Sequence, residues 1–107
     1  MSNQQISPDD ALLIVCKALN PFVDAKLLVG GKPVPGAAEI QIGKTMKTLL
    51  SHDQQNNEHA VDFLLHDIVK GVQEKGFSLA LGKGELVNDF DTIGELADEI
   101  VNSSISE

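Results

Sequence analysis

The sequence predicts a mainly α domain, a small bundle of four helices with a short β-hairpin as an optional addition; an α+β arrangement is the alternative. Three observations carry this. A helix start is written at Ser7, Pro8 and Asp10, a second at Thr92 and Glu95, and the segment between Glu58 and Lys75 has a one-sided apolar stripe at helical spacing. A chain of 107 residues is the size of one domain, and one this small withdraws only about 65% of its unfolded surface from water. We therefore expect a single globular unit over residues 1–107, with short flexible termini and a modest, aliphatic core.

In the first helix Ser7 offers a hydroxyl cap, Pro8 sits where a missing N–H costs nothing, and Asp9 and Asp10 lie at the positive end of the helix. The helix should run to about Asn20 and stop before Pro21. Its apolar residues are consecutive from Ala11 to Cys16, which predicts burial nearly all round. From Phe22 to Gly36 the chain reads FVDAKLLVGGKPVPG. Gly30-Gly31 is a turn signal and two prolines exclude helix, leaving a strand or an extended loop. Residues 37–51 allow two readings, one helix throughout or a strand from Glu39 to Ile42 with a short helix from Lys44, because IQI alternates and Gly43 interrupts.

The longest helix is expected from about Glu58 to Lys75, introduced by Asn56 or Asn57 and closed by Gly76. At about 100° per residue Val61, Leu64, Leu65, Ile68, Val69 and Val72 share one face, and His59, Asp62, His66, Lys70 and Gln73 the opposite one. Phe63 falls on the polar side. After Gly76, FSLAL and ELV flank Gly82-Lys83-Gly84, either as a small hairpin or as a glycine-rich loop. Thr92 and Glu95 then form a capping box for the last helix, whose inward stripe of Ile93, Leu96, Ala97, Ile100 and Val101 frays near Ser103.

Composition narrows the function classes. There are 16 acidic residues against 8 lysines, no arginine, and a net charge of -8; from Glu85 to the end there are seven acids and no lysine. An acidic surface without guanidinium groups repels a phosphate backbone, and four phenylalanines, with no Trp or Tyr, leave few rings on which bases could stack. Nucleic acid is not an expected partner; a protein with a basic patch is. The longest apolar run, Ala11 to Cys16, is far short of a membrane span, and the first ten residues carry no basic leader, so the expected location is cytoplasmic. Cys16, the only cysteine, reads as a small buried hydrophobe.

Two strings imitate functional motifs. AEIQIGKT, from Ala38 to Thr45, matches a permissive phosphate-loop pattern, but two isoleucines suit badly a loop whose amides must curl around phosphate, so Lys44 reads as a solvated residue at a helix start. His52, His59 and His66 recur every seven residues, which on a helix separates neighbours by roughly 10 Å along the axis, too far to share one ion. His59, Asp62 and His66 remain an alternative metal site by their three- and four-residue spacing; the principal expectation is no metal, no cofactor and no catalysis.

The closing stretch carries a resemblance. Phe77, Leu79, Leu81, Phe90, Thr92, Ile93, Gly94, Glu95, Leu96 and Ile100 form a pattern similar to that of the acyl carrier protein family: a Phe after the second long helix, alternating aliphatics, and a last helix opening with threonine and an acid three later. The resemblance covers roughly the last 25 residues well and the helix from Glu58 more loosely, and implies a short acidic four-helix fold. The family's Asp-Ser-Leu motif falls near Val61-Asp62-Phe63 or Asp62-Phe63-Leu64, and neither alignment supplies the hydroxyl that bears phosphopantetheine; no serine occurs between Ser51 and Ser78. Carrier chemistry therefore does not transfer. The expected role is a noncatalytic protein-interaction module, with Asp62, Phe63 and Asp67 as the partner-binding residues. The rivals are a small metal-dependent protein or enzyme using the His/Asp helix face, and an apolar-ligand-binding domain.

Overall fold

The structure is a computed structural model in which residues 5–23 and 26–106 are described. It is mainly α, 61% helical, with five α-helices and two small two-stranded sheets among the described residues. Helix α1 spans Pro8–Leu19, α2 Gly43–Asn56, α3 Ala60–Glu74, α4 Lys83–Asn88 and α5 Ile93–Ser103. Strands β1 (Leu28–Val29) and β2 (Lys32–Pro33) form one antiparallel pair; β3 (Phe77–Leu79) and β4 (Ser104–Ser106) form the other.

Helix α1 starts as its sequence dictates, with the Ser7 hydroxyl accepting from the Asp10 N–H at 3.1 Å. It packs against α3 and α5. Ala11, Ile14, Val15, Cys16, Ala18 and Leu19 are buried, while Leu12 and Leu13 are only half-buried, so the continuous apolar run is not enclosed all round. The chain then turns at Gly30-Gly31, where both residues have positive φ (61° and 79°), the conformation a two-residue hairpin turn requires. The segment read as a strand or loop is thus a minimal hairpin. Asp24 and Ala25 lie outside the described residues.

Residues 37–51 follow neither reading in full. Ala37–Glu39 is a 3-10 turn, Gln41 makes a single antiparallel bridge to Thr92, and α2 then runs from Gly43 on to Asn56. Two backbone bonds fasten this entry to the start of α5: Ile42 N–H to the Asp91 carbonyl at 2.8 Å and Ile93 N–H to the Ile40 carbonyl at 3.0 Å. Beyond Gly76 (φ 88°) neither the small hairpin nor the glycine-rich loop read around Gly82-Lys83-Gly84 forms; the short helix α4 starts at Lys83. Strand β3 instead pairs with β4, directly after α5, with Phe77 opposite Ser106 and Leu79 opposite Ser104. The segment expected to fray at Ser103 is therefore held, and Ser104, itself buried, accepts from the Ile6 N–H at 3.2 Å.

Helix α5 opens with the Thr92 hydroxyl accepting from the Glu95 N–H at 3.2 Å, one half of the expected capping box, while the Glu95 carboxylate accepts from the Thr92 hydroxyl at 3.4 Å and not from its backbone N–H. Its second residue, Gly94, lies against the 3-10 turn: a Cβ there would stand 2.9 Å from the Ala38 carbonyl oxygen and 3.1 Å from the Ala38 Cβ. Backbone cannot swing aside as a side-chain tip can. Gly94→Val is expected to cost about 1–3 kcal/mol through overpacking, measured by urea unfolding. An unchanged midpoint would show that α5 does not approach Ala38 this closely.

Candidate functional site

The outer face of α3 and the α2–α3 corner that leads into it hold the residues singled out from the sequence, together with several that were not. The corner forms because Asn57 adopts the left-handed conformation (φ 55°) at the end of α2 and reverses the chain into α3 three residues later. The sequence predicts that Asn56 or Asn57 introduces α3, but neither caps it. The Asn56 side-chain amide donates back to the His52 carbonyl at 3.2 Å and so belongs to the end of α2.

The cap is supplied from a distance. Asp53, in the last turns of α2, accepts from the Ala60 N–H through Oδ1 at 3.0 Å and from the Val61 N–H through Oδ2 at 2.9 Å. Position 59 is where a capping side chain would sit, and His59 makes no capping hydrogen bond. A carboxylate at a helix N-terminus meets both the free N–H groups and the positive end of the helix dipole. Asp53 is only 8% exposed, yet its carboxyl is held below the usual carboxylate range. The bond from the Val61 N–H is the largest cause; burial opposes it, and the Ala60 bond and the charges of Lys83 and His59 assist.

On α3 the inward stripe is as expected: Val61, Leu64, Ile68 and Val72 are fully buried, with Leu65 and Val69 half-buried. Phe63 is 66% exposed, the most exposed of the large hydrophobic side chains described, which rules out its packing beneath the Phe22–Gly36 segment. Asp62 beside it receives Lys83 Nζ from α4 at 3.0 Å and His59 Nδ1 at 3.4 Å. His66 and Asp67 continue the exposed face, and Asp67 also borders a cleft of about 330 Å³ between α1 and α3, floored by Ile14 and Gly71 and rimmed by Lys17, Lys70 and Glu74. Asp62, Phe63 and Asp67 thus all face outward.

The metal alternative fares differently. His59 and Asp62 approach each other, but among the described residues they do not assemble with His66 into a three-donor group. The donors that do converge are His52, Asp53 and Glu58, at the corner, with one ligand atom from each within 4.8 Å of the others. His52 Nδ1 lies 2.9 Å from Glu58 Oε2. One signal in the sequence pointed to Asp53: it falls on the inward stripe of α2, seven residues after the buried Met46, where an acid demands a partner.

Cys16 is fully buried and burial pushes its thiol pKa up, which suits a packing role and disfavours a thiolate nucleophile. The phosphate-loop imitation, Ala38 to Thr45, is not a curled loop; it passes from a 3-10 turn through an extended stretch into α2, and the Ile42 amide is already donated to Asp91. Among the described residues no helix is long and apolar enough to cross a membrane.

No protein-family model matches the chain, and neither does any curated protein or solved structure.

Proposed function

We propose that this chain is a noncatalytic, acidic interaction module resembling an acyl carrier protein without the pantetheine-bearing serine, and that it engages a protein partner through the outer face of α3. The observation that carries the reading is Phe63, a large ring two-thirds exposed on an otherwise polar face of a well-packed helix. An exposed ring on a rigid element suits an interface anchor, because it buries a large apolar area on docking with few rotamers to freeze. Asp67, one turn on, and the net charge of -8 favour a partner whose apolar pocket is rimmed by lysine or arginine. Asp62 is already paired with Lys83, so it acts as the rim of the patch and contributes less free charge than its sequence suggests. In either alignment with the carrier motif the serine's place is taken by Asp62 or Phe63, at the exposed first turn of α3.

Phe63→Ser tests this. Because the side chain is exposed, the substitution is expected to change folding stability by no more than about 0.5 kcal/mol. Partner recovery from the native cell, quantified by mass spectrometry of the purified protein, should fall at least tenfold with Phe63→Ser and be weakened by Asp67→Lys. Recovery of the same partners by both variants at wild-type levels would overturn the proposal.

A further inference from the structure

We propose that the α2–α3 corner is a binding site for a divalent transition metal, zinc being the best fit, with His52, Asp53 and Glu58 as its protein ligands. The site is distinct from the His59, Asp62 and His66 set and does not depend on the interaction reading of α3.

The geometry is built by the chain reversal. His52 and Asp53 are adjacent in α2, and the left-handed turn at Asn57 brings Glu58 back beside them, so that one donor atom of each lies within 4.8 Å of the other two. Donors around a zinc ion with bonds of about 2.1 Å stand roughly 3.4 Å apart. His52 Nδ1 and Glu58 Oε2 are at 2.9 Å, already close to the required separation. Both side chains are about half exposed (55% and 54%) and can rotate to close the remaining gap.

Asp53 is the fixed ligand. Its two oxygens are anchored by the Ala60 and Val61 amides, so it loses little further freedom on binding. A carboxylate offers about four lone-pair sites, and the two backbone bonds occupy two of them, so capping and ligation are compatible. The corner also gathers two carboxylates in a protein of net charge -8, and a divalent cation relieves their repulsion.

The donor set selects the metal class. One imidazole nitrogen and two carboxylate oxygens suit zinc, with water completing a tetrahedron, whereas calcium calls for six to eight oxygens and magnesium for a nearly complete octahedron of them. The imidazole is the deciding ligand. Metal at this corner would tie the last turn of α2 to the first of α3 and so stiffen the entry to the Phe63 face.

The test uses the untagged full chain, with zinc chloride followed by isothermal titration calorimetry and by thermal melting. Expected are one zinc per chain with a dissociation constant below about 100 μM and a Tm that rises with zinc concentration. His52→Ala and Glu58→Gln, both at exposed positions, should each weaken binding at least tenfold while leaving the metal-free Tm unchanged. His59→Ala and His66→Ala should leave zinc affinity as it was. Absence of stoichiometric binding up to about 1 mM zinc would overturn the site. So would wild-type affinity in His52→Ala, or affinity lost in His59→Ala or His66→Ala, and equal affinity for calcium or magnesium would overturn the metal class.

Discussion

Leu64→Ala is expected to destabilise the fold by roughly 2–5 kcal/mol, a large part of the ~5–15 kcal/mol that a domain of this kind commands. Leu64 is fully buried on the inward stripe of α3 with Val61, Ile68 and Val72, in the core that α1 and α5 complete. Truncation loses the transfer energy of the removed carbons and leaves a cavity that helices held by their neighbours fill only in part. The informative comparison is with Phe63→Ser next to it, for which the expected change is within about 0.5 kcal/mol. Urea denaturation of both variants reads the orientation of α3 directly. Equal costs, or a larger cost at position 63, would mean that α3 is rotated about its axis so that Phe63 faces the core.

Asp53→Asn is expected to lower Tm by roughly 5–10 °C at pH 7, from the usual effect of losing a helix cap in a domain of this size. The asparagine amide keeps one acceptor oxygen but turns an NH2 donor toward a backbone N–H, so one of the two bonds to Ala60 and Val61 is lost, together with the charge that meets the helix dipole. The pH dependence follows from the lowered folded-state pKa of Asp53. The folded protein holds this proton less readily than the unfolded chain, whose aspartate titrates near ~3.9. The stabilisation is therefore complete above that value and is lost as pH falls through the lower folded-state pKa. Melting the two proteins from pH 7 down to pH 3 should show their Tm difference shrinking below about pH 4. A difference that stayed constant over the range would mean that the carboxylate charge has no part in the cap.

Metal and cap share Asp53, which separates two otherwise similar outcomes. Asp53→Asn should reduce both metal-free stability and zinc affinity, whereas Glu58→Gln should reduce zinc affinity alone, because only Asp53 bonds to the backbone of α3.

By itself the sequence determined the features that depend on neighbours within one helical turn or one tight turn. Ser7 and Thr92 cap their helices because the bond each makes reaches only three residues ahead, to Asp10 and Glu95, and the pair Gly30-Gly31 can take the positive φ angles of a two-residue turn at little steric cost. The 3.6-residue period of α3 likewise divided its buried stripe from its polar face, and placed Phe63 on the latter. Tertiary structure alone decided the rest. Strand β3 found its partner in β4 across the whole of α4 and α5, where period-2 patterning over three residues cannot distinguish a distant partner from the nearby ELV segment. The start of α3 took its cap from Asp53, on the preceding helix, because the reversal at Asn57 brings a side chain from seven and eight residues back onto the free N–H groups of Ala60 and Val61, in place of the asparagines that local rules favour. The same reversal chose the converging donors, setting His52 and Glu58 together on a bend, whereas along a straight helix His59, Asp62 and His66 stay strung out at 1.5 Å per residue.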